Sequence, residues 1–224
     1  MGKKGSKTEE ALKLLEGAYA IQTPEDSKVY YKDFSQNYDE TFVKQLSYTY
    51  PRRVAEELLA HFDGDGIICD IGCGTGLVGE ELKNLNANIV IDGFDISSEM
   101  IAVAKTKNVY RNFFELDLTQ PVLGVPNDYA ALISSGTFTH GHLGPEILVN
   151  LLSLCQDNAL LTVGINAEHY RDKGFEKVIN ELQSASRIQI VKVSKQPIYS
   201  KQNETDNKEN RTAVICTFTK INPK

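Results

Sequence analysis

No apolar run in this chain approaches the roughly 20 residues that span a bilayer, and the N-terminus has no apolar centre of the kind a secretory leader carries. Neither a membrane partner nor export is expected. Excess positive charge is also lacking: 24 Lys and Arg stand against 30 Asp and Glu, a net charge of −6. A duplex-binding face needs a basic stripe, so nucleic acid is not the expected partner. The three lysines within residues 1–7 read as a loose basic tail. Cysteines number only four (Cys69, Cys73, Cys155 and Cys216), too few and too scattered for a disulfide framework, which points to a reducing, cytoplasmic setting. An iron–sulfur pattern of the form Cys-x3-Cys-x2-Cys would need a third cysteine where Gly76 stands, so cluster chemistry is excluded. No metal site and no internal repeat are expected.

The 224 residues, 41% hydrophobic and 24% charged, suffice for one soluble α/β domain with a sizeable core and some chain to spare. Residues 1–50 read as an N-terminal tail and helical lid, and residues 51–224 as the ligand-binding domain. Within the first part, residues 8–20 suggest a weakly amphipathic helix that Pro24 stops. Tyr30, Phe34, Tyr38, Phe42 and Leu46 then recur at i, i+4 and share one helical face. Such a stripe can pack onto the domain or close over a ligand with the Tyr38 hydroxyl free to donate, and the two roles are compatible.

Pro51 suits the start of the next helix, with Gly64 as its expected end. Strands are expected at 67–71, 89–94, 110–116, 129–134, 159–165, 188–193 and 213–218. Helices are expected at 77–85, after an N-cap at Ser97, at 145–155 and at 174–184. Strands alternating with helices predict a Rossmann-like, doubly wound, mostly parallel seven-stranded sheet. The last two strands, with no helix between them, predict an antiparallel C-terminal hairpin joined by a long polar loop at 200–211.

The chain is organised around Ile67–Leu82, a short apolar run followed by Gly72, Gly74, Gly76 and Gly79 and then a helix-forming segment. A strand, a glycine turn and a helix N-terminus bring backbone close to a polar ligand. From Gly74 the loop reads Gly-x-Gly-x-x-Gly, with Asp95 about 20 residues on, as in a dinucleotide site. The acids argue for a different ligand. Asp70 precedes the turn, where it would repel a pyrophosphate but suit a cationic amino acid group. Asp95 and Asp117 end the second and third strands. Together they fit an ammonium, a ribose diol and an adenine amine, with no phosphates. The competing reading for each is a turn or capping carboxylate.

Cys69-Asp-Ile-Gly-Cys-Gly-Thr-Gly76 resembles the first motif of class I S-adenosylmethionine-dependent methyltransferases. Gly93-Phe-Asp-Ile-Ser97 resembles the second, Leu116-Asp-Leu118 the third, and residues 128–135 the fourth. The resemblance extends over about residues 30–220. Two further stretches, Asn37-Tyr-Asp-Glu40 with Tyr50-Pro-Arg52 and Ser135-Gly-Thr-Phe-Thr-His-Gly-His142, resemble small methyltransferase-like proteins of the Williams–Beuren region type.

The resemblance implies S-adenosyl-L-methionine as cofactor and S-adenosyl-L-homocysteine as product. It implies that Gly72, Gly74 and Gly76, with Cys73 and Leu77 beside them, receive the methionine part, with Asp70 ordering the loop. Asp95 would take the ribose hydroxyls, Ile96 and Met100 would pack on adenine, and Asp117 with the Leu118 backbone would bind its amine. Ser134 and Ser135 would touch the amino group, and Tyr38 would close over the carboxylate.

Methyl transfer from a sulfonium needs alignment and exclusion of water more than it needs a base. His140 and His142 follow the fourth strand, where a histidine can deprotonate an acceptor oxygen or nitrogen. Of the two, His140 is the stronger candidate, and a capping or lining role competes for both. The fourth strand is followed by neither Asn/Asp-Pro-Pro-Tyr/Phe nor Pro-Cys. That disfavours adenine-amino or glutamine methylation and a covalent cytosine mechanism. The leading expectation is transfer to an O or N of a small-molecule acceptor, with a protein side chain second. Two alternatives remain: a cofactor-binding protein of this fold without transferase activity, and a nicotinamide-dependent oxidoreductase.

Overall fold

A computed structural model describes residues 47–200 and 211–222, together with Gly17, Thr23, Asp26, Val29, Tyr30 and Asp39. Most of the expected N-terminal lid, including Tyr38, and positions 201–210 of the polar loop lie outside the described residues.

Seven strands, β1 (Ile67–Ile71), β2 (Val90–Asp95), β3 (Asn112–Glu115), β4 (Tyr129–Phe138), β5 (Cys155–Asn166), β6 (Ile188–Pro197) and β7 (Thr212–Lys220), form one sheet in the order β3-β2-β1-β4-β5-β7-β6. The first five run parallel to one another, and β7 runs antiparallel to both β5 and β6. The doubly wound sheet and the closing hairpin are thus as expected. The hairpin's second strand inserts between β5 and β6, which leaves β6 at the edge.

Alternating side chains feed two apolar layers. On one face Cys69, Ile71, Leu132, Leu161, Val163, Val214 and Cys216 join the residues of helices α4 (Ile147–Ser153) and α6 (Phe175–Ser184). On the other, Ile68, Ile91, Ala131, Ile133 and Ile215 meet Val54, Ala55 and Leu58 of α1 (Tyr50–Leu59) and Val78 and Leu82 of α2 (Leu77–Leu85). Helix α3 (Ser98–Thr106) lies against β2 and β3. Its N-cap is Ser97, whose hydroxyl accepts the Met100 N–H at 3.2 Å, as the sequence predicts.

Several boundaries differ from the expected ones. Helix α1 does not reach Gly64: it stops at Leu59, where the N–H groups of His61 and Phe62 both turn back to the Leu58 carbonyl. Gly64 and Gly66, both at positive φ, then carry the turn into β1. Strand β4 continues four residues past Ser134, because a register shift lets Phe138 pair with Ile165. A short helix, α5 (Ala167–Asp172), follows β5. Its six residues show no apolar period, and the Asn166 side chain starts it by accepting the N–H groups of Glu168 and His169.

Candidate active site

The parallel register sets four strand ends side by side. Asp70 pairs with Gly93 on one side and Ile133 on the other, while Asp95 pairs with Glu115. The glycine turn after β1, Asp95 after β2, Asp117 beyond β3 and Ser134 in β4 therefore share the carboxyl edge of the sheet, where open α/β sheets bind ligands.

The turn is held from both neighbouring strands, β2 and β4. The Cys73 N–H donates to the Phe94 carbonyl at 2.9 Å, and the Gly74 N–H donates to Asp95 Oδ2 at 2.7 Å. From β4, the Ser134 and Thr137 hydroxyls donate to the Ile71 carbonyl at 2.8 and 3.1 Å. Gly72, Gly74 and Gly76 all take positive φ, which only glycine adopts without strain.

Their surroundings differ. A methyl group at Gly72 would sit 2.0 Å from the Thr137 hydroxyl, and one at Gly76 would crowd Tyr110 and Ala104. Beside Gly74 no atom of the described residues comes within 4 Å. Of the three, Gly74 is thus the one whose open side can receive a ligand.

Gly79, the last glycine of the Gly-x-Gly-x-x-Gly spacing, has a different use. A Cβ there would meet the Tyr110 ring at 2.5 Å, so the glycine makes room for that ring. The Gly79 N–H donates to the Tyr110 hydroxyl at 3.1 Å, and that hydroxyl donates to Asp70 Oδ2 at 2.6 Å.

Asp70 is fully buried. Its other oxygen, Oδ1, accepts no hydrogen bond among the described residues. Burial raises its carboxyl to about 7, against the pull of the Tyr110 hydrogen bond and with some help from the nearby Asp95 charge. Burial also raises Asp95, and the N–H groups of Ser97, Gly74 and Ile96 oppose that rise. Its Oδ1 accepts the Ser97 N–H at 2.9 Å. Each Asp95 oxygen thus accepts one of these backbone bonds and retains capacity for another donor.

Asp117 does not bond to the loop. Its Oδ1 takes the N–H and hydroxyl of Thr119 at 2.9 and 2.6 Å, which makes it a turn carboxylate. Its Oδ2 carries no such bond among the described residues. Ile96 is partly exposed, whereas Met100 and Leu118 are buried beside the same edge. Leu77 opens α2, and the Cys73 thiol is buried and pushed up by burial. The Ser134 hydroxyl is spent on Ile71, whereas Ser135 Oγ is buried with no partner among the described residues.

The structure brings two residues to the site that sequence reasoning missed. Tyr110 is one. The other is Asp39, neighbour of Tyr38, whose carboxylate accepts the Thr75 hydroxyl and the Lys107 ammonium, each at 2.7 Å. Lys107 also pairs with Glu80. A glycine inside the helix at 79 marks a close neighbour but does not say that the side chain filling the space is Tyr110. Asp39 left no such signal.

His140 and His142 follow β4. His140 Nε2 lies 3.6 Å from Glu168 Oε2, and His142 Nδ1 lies 2.8 Å from the His140 carbonyl. Burial lowers His142. Among the described residues no group of three or more His, Cys, Asp or Glu is arranged to hold a metal ion, and no helix is long and apolar enough to cross a membrane.

Residues 68–158 match a family model described as a methyltransferase domain. The chain is similar to a malonyl-[acyl-carrier protein] O-methyltransferase of Bacillus anthracis, 33% identical over 108 residues. That alignment takes in 47% of this chain but 39% of the relative, so the chain spans about two fifths of the length of the curated relative it matches. Among solved structures, the plantazolicin methyltransferase BpumL with SAH bound matches at a TM-score of 0.59 and 16% identity, covering 97% of this chain and all of that one. A putative methyltransferase of Haloferax volcanii, in complex with the Trm112 methyltransferase activator, matches at 0.64 and 9% identity, over 88% of this chain and 98% of that one. Residues 68–158, which match the methyltransferase domain model, hold the glycine turn and the ends of β1 to β4, and the sheet that carries them has the fold of these methyltransferase structures.

Proposed function

We propose that this chain is an S-adenosyl-L-methionine-dependent methyltransferase that moves a methyl group to an oxygen or nitrogen of a small-molecule acceptor and releases S-adenosyl-L-homocysteine. The observation that carries the reading is Asp70. Its carboxylate is buried, with one oxygen unpartnered, at the end of β1 beside the open face of Gly74. Burying a carboxylate oxygen without a donor is costly. A cationic, hydrogen-bond-donating ligand removes that cost, whereas a pyrophosphate would add repulsion.

In this reading the bound sulfonium supplies an activated methyl group. Asp70 balances the cationic amino acid end and keeps the turn in shape through Tyr110. Asp95, fixed by the Gly74 and Ser97 N–H groups, accepts the ribose hydroxyls. Asp117 Oδ2 takes the adenine amine, with Ile96, Met100 and Leu118 against the base and the Ser134–Ser135 backbone near the ammonium. Cys73, Gly72, Gly76 and Leu77 form the wall of the turn. Residues 1–50 act as a lid over residues 51–224, and the seat of Asp39 on Thr75 and Lys107 supports that division. The four buried thiols fit a cytoplasmic setting.

Calorimetry of the full chain against S-adenosylhomocysteine, NAD and NADP tests the reading. Binding of S-adenosylhomocysteine alone is expected, and binding of NAD in its place would sink the proposal.

A further inference from the structure

Strands β4 and β5 end together, with Phe138 opposite Ile165. The turn beyond β4 carries His140 and His142, and α5 beyond β5 carries Glu168 and His169. Three of the chain's four histidines therefore meet at one point on the carboxyl edge. That point is tied to the glycine turn, because Thr137, three residues before His140, donates to the Ile71 carbonyl.

The group is built in a definite order. Asn166 caps α5 through the N–H groups of Glu168 and His169, which fixes where the Glu168 side chain starts. His169 is buried, its Nε2 lies 3.0 Å from the Leu143 carbonyl, and its ring stands edge-on to His140 at 5.7 Å. His142 is held by the His140 carbonyl. His140 and Glu168 are partly open, with 31% and 27% of their side chains exposed and 3.6 Å between Nε2 and Oε2; His140 Nδ1 is buried, so Nε2 is the nitrogen that an acceptor can reach.

We propose that His140 accepts the proton that the methyl acceptor releases, that Glu168 holds and stabilises the resulting imidazolium, and that the acceptor is accordingly a protic group, a hydroxyl or an amine, rather than a carboxylate. The inference rests on the methyltransferase reading above. In the step, the acceptor's lone pair forms the new bond to the methyl carbon. The carbon–sulfur bond breaks and its electrons stay on sulfur as a neutral thioether. The proton from the acceptor O–H or N–H passes to His140 and then to water. A carboxylate acceptor is already ionised at neutral pH and has no proton to give up.

The groups that face His140 are consistent with this step. Glu168 and His169 come from α5 and His142 from its own turn, while Lys173 closes α5 beyond His169. Burial lowers both His142 and His169, so they stay neutral and do not repel a charged His140. The contact with Glu168 is longer than a hydrogen bond, as catalytic contacts often are before the reactants bind.

Four acceptors on one scaffold, 4-nitrophenol, benzyl alcohol, benzylamine and benzoate, test this with the full chain and labelled S-adenosylmethionine. Transfer to at least one of the first three and not to benzoate is expected. His140→Asn should lower kcat roughly 10²- to 10⁴-fold with the KM for S-adenosylmethionine unchanged, and added imidazole should restore part of the rate to His140→Gly. Glu168→Gln should lower kcat roughly tenfold or more, with partial recovery in Glu168→Asp. Undiminished transfer in His140→Asn, transfer to benzoate alone, or S-adenosylmethionine bound but passed to none of the four would overturn the inference. No binding of S-adenosylmethionine would instead overturn the methyltransferase reading, so the two failures are told apart by calorimetry.

Discussion

Tyr110 shows how one side chain can serve both fold and site. Its ring fills the space left by Gly76 and Gly79, and its hydroxyl links the Gly79 N–H to Asp70. Tyr110→Phe keeps the ring but strands a buried N–H and removes a donor from a buried carboxylate. The expected cost is about 1–3 kcal/mol of stability, read from urea denaturation; no change would mean that water replaces the hydroxyl. Asp95→Asn keeps the shape of the residue but gives up its charge and one acceptor. Affinity for S-adenosylhomocysteine should fall by roughly 1–3 kcal/mol, and unchanged calorimetric affinity in a folded variant would remove Asp95 from the site. The acids were legible in the sequence because each lies within two residues of the end of a strand, so strand prediction alone put them on one edge. Tyr110 and Asp39 were not, because their roles depend on contacts 31 to 68 positions away along the chain.

The elements that carry these residues were legible where a period was present. All seven strands, and the helices at α2, α3, α4 and α6, follow from apolar spacing. Helix α5 was missed because a cap, and no apolar stripe, makes it. The register shift that lengthens β4 was missed because a bulge leaves no compositional mark. The consequence is functional: α5 carries Glu168 and His169, so half of the histidine cluster was invisible until β5 was seen to end beside β4. Where a cap was legible, at Ser97, it can be tested. Its hydroxyl is the acceptor for the Met100 N–H, and its own N–H holds Asp95. Ser97→Ala removes the first contact and keeps the second. A loss of about 0.5–2 kcal/mol is expected with little change in cofactor affinity. A large loss of affinity would show that the cap also orients Asp95.

Across the whole molecule these buried ionisable groups set how stability and binding respond to pH. Asp70 titrates at about 7 in the folded chain against 3.8 for an ordinary aspartate. Between those values the folded state holds a proton that the unfolded state has lost. Its contribution is therefore a stability that falls as pH rises from about 4 to about 7 and is level above, a total on the order of 4 kcal/mol. His142 and His169 are shifted in the opposite sense for a base, so they oppose folding as pH drops below their ordinary value of 6.5. Asp70→Asn isolates the first effect: the variant should gain stability near pH 7 and lose the fall between 4 and 7. A cationic ligand favours the ionised carboxylate. S-adenosylmethionine should thus bind more tightly as pH rises, up to about tenfold per unit below 7, and then level off. Its binding at pH 6 should release a proton, seen as a calorimetric enthalpy that changes with the ionisation enthalpy of the buffer. Asp70→Asn should abolish both signals. A pH-independent affinity in the unaltered chain would mean that Asp70 does not face the cation.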